Sequence, residues 1–168
     1  NLSFKKKDKK NNFGGIQLLK TKNNLVLFDV GVPPKKSFSK SYQSGPLSFE
    51  YYIDEIKIIT NCGFGCNISP RAELLSKLTS AQSTLTINDT SVTRFERNKL
   101  INSIFGNSIK NSFKVSDFEF SENENFVEAV ASHNGYEKNF GCLYKRKISI
   151  NKLTNNLSGY DEIIKKKD

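Results

Sequence analysis

The chain contains one histidine, His133, so any catalytic device that needs an imidazole must run through it. No Ser-His-Asp or Cys-His partner stands at a nearby spacing. His133-Asn134-Gly135-Tyr136 is the densest cluster of chemically able side chains. It falls where a strand ends and a loop begins, a frequent place for functional groups. A histidine hydrogen-bonded at a turn, with Asn-Gly supplying positive φ, accounts for the same four residues. Gly63-Phe64-Gly65 lacks the Lys-Ser/Thr ending and the following helix of a phosphate loop. Cys62, Cys66 and Cys142 have neither zinc-ribbon nor disulfide-framework spacing. They read as buried free thiols, with a bridge open to them only in an oxidising compartment.

Charge narrows the partners. The 168 residues carry 26 Lys+Arg against 17 Asp+Glu, a net +9, which suits a polyanion. Lys supplies 22 of those cations and Arg only 4, and Asn occurs 19 times, the mark of an AT-rich coding sequence. Arg is the side chain that reads phosphates and base edges two-pronged, so its scarcity argues against a nucleic-acid partner. No stretch approaches the roughly 18 apolar residues of a membrane span, and Lys5 to Lys10 leads into no signal-like apolar run. The chain opens on Asn1, holds no Met and ends at Asp168, and is expected to be a piece of a longer protein.

The elements that must position these side chains are strands. Period-two alternation runs through 13–20, 25–30, 47–53, 56–62, 83–89, 113–120, 126–132 and 142–150, then from Leu157 onward. Asn/Gly/Asp-rich turns join the runs at Lys22-Asn23-Asn24, Asp54-Glu55, 122–125 and Asn155-Asn156. Leu47, Phe49, Tyr51 and Ile53 should share one strand face. One short helix interrupts the pattern: Ser69 caps it, Pro70 takes its first position, and Leu74, Leu75 and Leu78 share a face. Such a series predicts an all-β fold, an antiparallel β-sandwich with one short helix. Residues 1–12 read as a basic linker or the end of an upstream segment, and 13–168 as one domain truncated at its C-terminus.

Several segments together add a family resemblance. Leu27-Phe28-Asp29-Val30-Gly31-Val32-Pro33-Pro34 is followed by Gly45-Pro46-Leu47-Ser48-Phe49-Glu50 and Thr60-Asn61-Cys62-Gly63. Then come Gln82-Ser83-Thr84-Leu85-Thr86-Ile87-Asn88-Asp89-Thr90-Ser91, Ser132-His133-Asn134-Gly135-Tyr136 and Lys145-Arg146-Lys147. In this order, over about 13–162, they resemble the C-terminal β-domain of heparinase II/III-like proteins, particularly the branch common in alphaproteobacteria.

The resemblance implies a polysaccharide lyase architecture, in which an upstream α/α-toroid of the same chain packs on this β-sandwich. Such enzymes cleave uronate-containing polysaccharides by β-elimination, with a Tyr or His taking the C5 proton and an acid protonating the leaving oxygen. Those groups lie mainly on the toroid. The family's β-domain adds a His-x-His pair, one of which serves a zinc site together with an Asp and a later His. Here Ser41 and Gln43 stand at the pair, Asn61 at the Asp, and Gln82 where a His often precedes Ser-Thr-Leu-Thr. Gln43, Asn61 and His133 would offer zinc one imidazole and two neutral amides, so neither metal nor cofactor is expected. The amides would instead form a polar cluster or hydrogen-bond sugar hydroxyls.

The resulting expectation is a β-domain with no catalytic residue of its own, belonging to a lyase and periplasmic by family. Its partners are an anionic polysaccharide and the toroid. The alternative is a non-catalytic glycan-binding or structural module. The expected sugar contacts are Gln43, Asn61, Gln82, Arg94, His133 and Tyr136.

Overall fold

A computed structural model describes residues 11–166 as two antiparallel sheets with a long irregular connection between them. The first sheet holds β1 (Asn12–Phe13), β2 (Ile16–Lys20), β3 (Asn24–Asp29), β4 (Phe49–Ile53) and β5 (Ile56–Ile59), paired in chain order. The second holds β6 (Val115–Glu122), β7 (Phe126–His133), β8 (Cys142–Asn151) and β9 (Leu157–Lys165), again in chain order. The predicted all-β sandwich is therefore present, built as two meanders.

The alternation read from the sequence sets which side chains meet. In the first sheet Leu19 pairs with Val26, and Val26 with Tyr51, making one inward row. In the second, Val127 stands beside Ile150, and Ala129 beside Ile148. These rows and Phe28 form one buried core between the sheets. At one end, Tyr51 donates its hydroxyl to Asn24 Oδ1 at 2.6 Å, and Asn24 donates to Asn155 Oδ1 at 3.3 Å. A polar chain thus ties the tip of the first sheet to the β8–β9 turn.

The turns fall where Asn, Asp and Gly were read. Asp54 and Glu55 both take positive φ (46° and 69°), as a two-residue turn between β4 and β5 requires. The predicted strand at 13–20 is broken. Gly14 and Gly15 both have positive φ, and a Cβ on Gly15 would lie 2.6 Å from Gly31 Cα. The two backbones touch there, and Val30 donates to Gly15 O at 2.8 Å. β6 starts two residues later than expected and is bulged between Ser116 and Glu119, where Asp117 has φ 53°.

Other expectations change. Residues 83–89 alternate but join no sheet; only Ile87 and Thr90 form an isolated bridge. Ser69 does cap α1 (Pro70–Ser76), accepting from Ala72 N at 3.1 Å. Two further helices, α2 (Lys99–Phe105) and α3 (Glu137–Phe140), were not expected. α2 is capped by Asn98 and α3 is one turn, too short to show a period. Leu74 and Leu75 are half exposed, so the leucine face of α1 does not enter the core. Cys62 and Cys66 are exposed and only Cys142 is buried, against the expectation of three buried thiols; all three are free. Of the charged ends, residues 1–10 and 167–168 lie outside the described residues, while Asn12 pairs with Gln17 and Lys165 with Cys142.

Residues 60–114 carry the chain from the first sheet to the second outside both sheets, with only isolated bridges, so many of their backbone groups need other partners. Hydroxyls supply several of them. Ser44 and Thr79 hydrogen-bond each other at 3.0 Å, and accept from Thr93 N and Val92 N, also at 3.0 Å. Ser76 Oγ accepts from Gly65 N, and Ser39 Oγ from Ile109 N. Lys77 is fully buried beneath this layer, donating to the Lys40 carbonyl and lying 3.4 Å from Glu73 Oε1. Burial holds its pKa below the usual lysine range despite the Glu73 charge.

Candidate functional site

Three of the side chains singled out in the sequence meet at the edge where this irregular layer covers the first sheet. Gln43 donates from Nε2 to Gly63 O at 2.7 Å and to Ser76 O at 3.1 Å. Gln82 donates to the same Ser76 carbonyl at 2.8 Å. Asn61 Oδ1 accepts from the backbone N and the hydroxyl of Ser83 at 2.8 and 3.0 Å, and Asn61 Nδ2 donates to Ser48 Oγ at 3.3 Å. The Cys62 thiol donates to Gly63 O at 3.1 Å. Gly45 makes the approach possible, because a Cβ there would lie 3.0 Å from both Gln82 Cγ and Ser48 Oγ. The amides are half-buried and satisfied chiefly by backbone.

Beneath them runs the strongest ionic device among the described residues. Arg146 and Asp161 stand directly opposite each other on β8 and β9 and join two-pronged, at 2.7 and 2.8 Å. The remaining guanidinium nitrogen donates to Leu47 O at 2.8 Å and Ser83 O at 2.7 Å, across the sandwich. Tyr144 adds a hydroxyl donor to Asp161 Oδ1 at 2.8 Å. Three of the resembling segments, around Leu47, Ser83 and Arg146, thus converge on one guanidinium.

A family model described as "Heparinase II/III-like, C-terminal" matches residues 5–168. The chain belongs to that family. No curated protein and no solved structure matches it. It is a polysaccharide lyase-related domain, and the resemblance read from the ordered segments extends over nearly its whole length.

In this heparinase II/III-like domain the residues present do not fit a zinc ion. Gln43 and Gln82 turn N–H groups toward Ser76 O, and Asn61 Oδ1 is taken by Ser83. Among the described residues no three His, Cys, Asp or Glu side chains gather. His133 stands apart from the amides, at 0% exposure, ringed by Phe113, Tyr136 and Tyr144 at centroid distances of 5.6, 5.6 and 5.3 Å. Its Nδ1 accepts from Gly135 N at 3.1 Å, which places the proton of the neutral ring on Nε2. Burial, with Arg146 nearby, pulls its pKa down to about 4, so the ring is neutral at physiological pH.

Tyr136 is also at 0% exposure, donating its hydroxyl to Leu85 O at 2.7 Å, and burial pushes its pKa up to about 12. The His133-Asn134-Gly135-Tyr136 cluster is thus an interior corner, with Gly135 against Val92. Arg94 lies on the surface, its guanidinium 3.4 Å from Asn139 Oδ1. The structure brings together Gln43, Asn61 and Gln82, and leaves Arg94, His133 and Tyr136 elsewhere.

Two groups escaped the sequence reading. Arg146 was legible in principle, as the one cation at an inward position of β8 between Tyr144 and Ile148. Asp29 was not. Burial lifts its pKa to about 6 although Gly31 N donates to it at 2.9 Å, and its nearness helps raise the pKa of Tyr42.

Proposed function

We propose that this chain is the C-terminal β-domain of a lyase that cleaves uronate-containing polysaccharides by β-elimination, and that the domain holds sugar while another part of the protein moves the protons. The observation carrying the division of labour is the burial of its two plausible proton carriers. Elimination needs a base at the sugar C5 and an acid at the leaving oxygen. His133 and Tyr136 touch protein on all sides, one with a depressed and the other with a raised pKa. Neither presents a proton-accepting atom to a bound chain.

In this reading Gln43, Asn61 and Gln82 meet the glycan at one edge and Arg94 meets it apart from them, while His133 and Tyr136 serve as interior packing. Half-buried amides satisfied chiefly by backbone keep lone pairs and N–H groups for sugar hydroxyls. The toroid implied by the resemblance is the partner that covers this edge, and the periplasm is the compartment. Among the described residues no helix is long and apolar enough to cross a membrane.

A second reading, a glycan-binding or structural module with no chemistry, is favoured by one observation. The amide side chains close on the Ser76 carbonyl, where the family's metal site would need imidazole and carboxylate. One experiment separates the two. The full-length parent and this chain are each incubated with uronate polysaccharides, and unsaturated uronate is followed by its ultraviolet absorbance. The lyase reading expects product from the parent and none from the chain. Product from the chain alone would overturn the division of labour, and a parent that binds without product would leave the module.

A further inference from the structure

A cleft of about 990 Å3 opens beside α1, and none of Gln43, Asn61 and Gln82 lines it. The half-exposed leucines of α1 form one wall: Leu74 and Leu75, with Leu78 just beyond. The other wall is a short ribbon, in which Phe95 bridges Ile109, Glu96 N donates to Ser108 O at 2.8 Å, and Lys110 N donates to Arg94 O at 2.7 Å. That register sets Arg94 and Lys110 directly opposite each other. Like charges held opposite across a ribbon repel, so the pairing is unfavourable unless something negative lies between them.

Among the described residues no ion pair fills that role. The ion pairs of the described residues involve none of Arg94, Arg97 and Lys110, all of which line the cleft. Glu96 is close enough to Lys110 to feel its charge, but its carboxylate is already engaged. Oε1 accepts from Arg97 N and Asn98 N at 3.1 Å, and Oε2 lies 3.6 Å from Lys36. Asp89 is the other carboxylate of the cleft, exposed at a positive-φ turn.

The Arg residues sharpen the point. A chain that uses Lys for general charge holds only four Arg; one staples the sheets and two stand in this cleft. Arg is the side chain that grips a carboxylate with two parallel hydrogen bonds. A cleft lined by both leucines and cations suits a ligand that carries acid groups and C–H surface. The volume is at the upper end of ordinary ligand pockets.

We propose that this cleft is a second binding subsite, which takes a carboxylate-bearing oligosaccharide: Arg94, Arg97 and Lys110 hold the acid groups, and Leu74, Leu78 and Phe95 take the sugar C–H faces. The choice of a sugar acid rests on the function proposed above; the cationic cleft does not.

The test is a titration of the chain with fluorescently labelled hexagalacturonate, with neutral dextran hexamer, inorganic sulfate and single-stranded DNA as competitors. Arg94→Gln/Arg97→Gln is compared with Lys145→Gln/Lys147→Gln, which removes the same charge from the outer face of the second sheet. The first pair is expected to weaken hexagalacturonate binding by at least about tenfold, as for lost charge-assisted hydrogen bonds, and the second to leave it unchanged. Lys110→Gln, which removes no backbone partner, repeats the test should the Arg pair fail to fold.

Equal weakening by both pairs would overturn the proposal in favour of net charge alone. Sulfate competing as well as the hexamer would reduce the cleft to a simple anion site, and tighter DNA binding would make the ligand a nucleic acid; both overturn it. If hexagalacturonate does not bind but the parent still releases unsaturated uronate, this proposal fails and the lyase reading stands. Binding that depends on the cleft, without turnover by the parent, is the reverse.

Discussion

His133, fully buried, and Asp29, partly buried, are titratable groups whose effects on stability run in opposite directions. The folded pKa of His133 is about 4 against an ordinary 6.5, so the unfolded chain takes up the proton first. Its contribution is complete above pH 6.5 and is lost as the pH falls toward 4. The folded pKa of Asp29 is about 6 against an ordinary 3.8, so the unfolded chain ionises first. That contribution is complete below pH 3.8 and is lost as the pH rises toward 6. Each shift corresponds to about 3 kcal/mol, so the two slopes nearly cancel between pH 4.5 and 6. The paired substitutions expose them. In urea titrations across that window, His133→Phe is expected to make stability fall as pH rises, and Asp29→Asn to make it rise. A His133→Phe protein with the unaltered flat profile would show that the imidazole is solvated.

At the scale of elements, the strands were legible because alternation is local, and residues 60–114 were not because hydroxyls replace the ladder there. Ser44, Thr79 and Ser91 look like ordinary loop residues in the sequence. Their bonds join segments far apart in the chain, such as Thr93 N to Ser44 Oγ. Residues 83–89 show the converse. Their alternation is real, but they join no sheet; the Ser83 and Thr84 hydroxyls hydrogen-bond to the Phe49 and Pro46 carbonyls. The break between β1 and β2 belongs to this scale too. Gly15→Ala places a methyl against Gly31 Cα in a left-handed conformation (φ 93°), and is expected to cost about 2 kcal/mol or more. Gly14→Ala, with open space around it, is the milder control. Equal urea midpoints for the two would mean that the backbones separate easily.

At the scale of the whole molecule, Arg146 joins the two sheets, and its removal is expected to act on the fold before it acts on any ligand. Arg146→Ala leaves the Leu47 and Ser83 carbonyls without their buried donor and Asp161 without its cation. The expected loss is about 2–4 kcal/mol, read as a lower melting temperature. Asp161→Asn should cost less, because that side chain is partly exposed and Tyr144 can still donate to it. If Arg146→Ala melts like the parent chain, the sheets are held by their apolar core alone.

The sequence by itself determined the all-β class, most of the strands, the turns at Asp54-Glu55 and Asn155-Asn156, the capped start of α1, and through its ordered segments the family. These follow from side-chain period, backbone preference and local order, which need no knowledge of distant contacts. Only the tertiary structure decided that Gln43 and Gln82 share one carbonyl, that His133 and Tyr136 lie inside, and that Arg94 stands beside Lys110 on one ribbon. Burial and pairing depend on which segments the long connection brings together. Those segments meet through hydrogen bonds between residues dozens of positions apart, which no local pattern encodes.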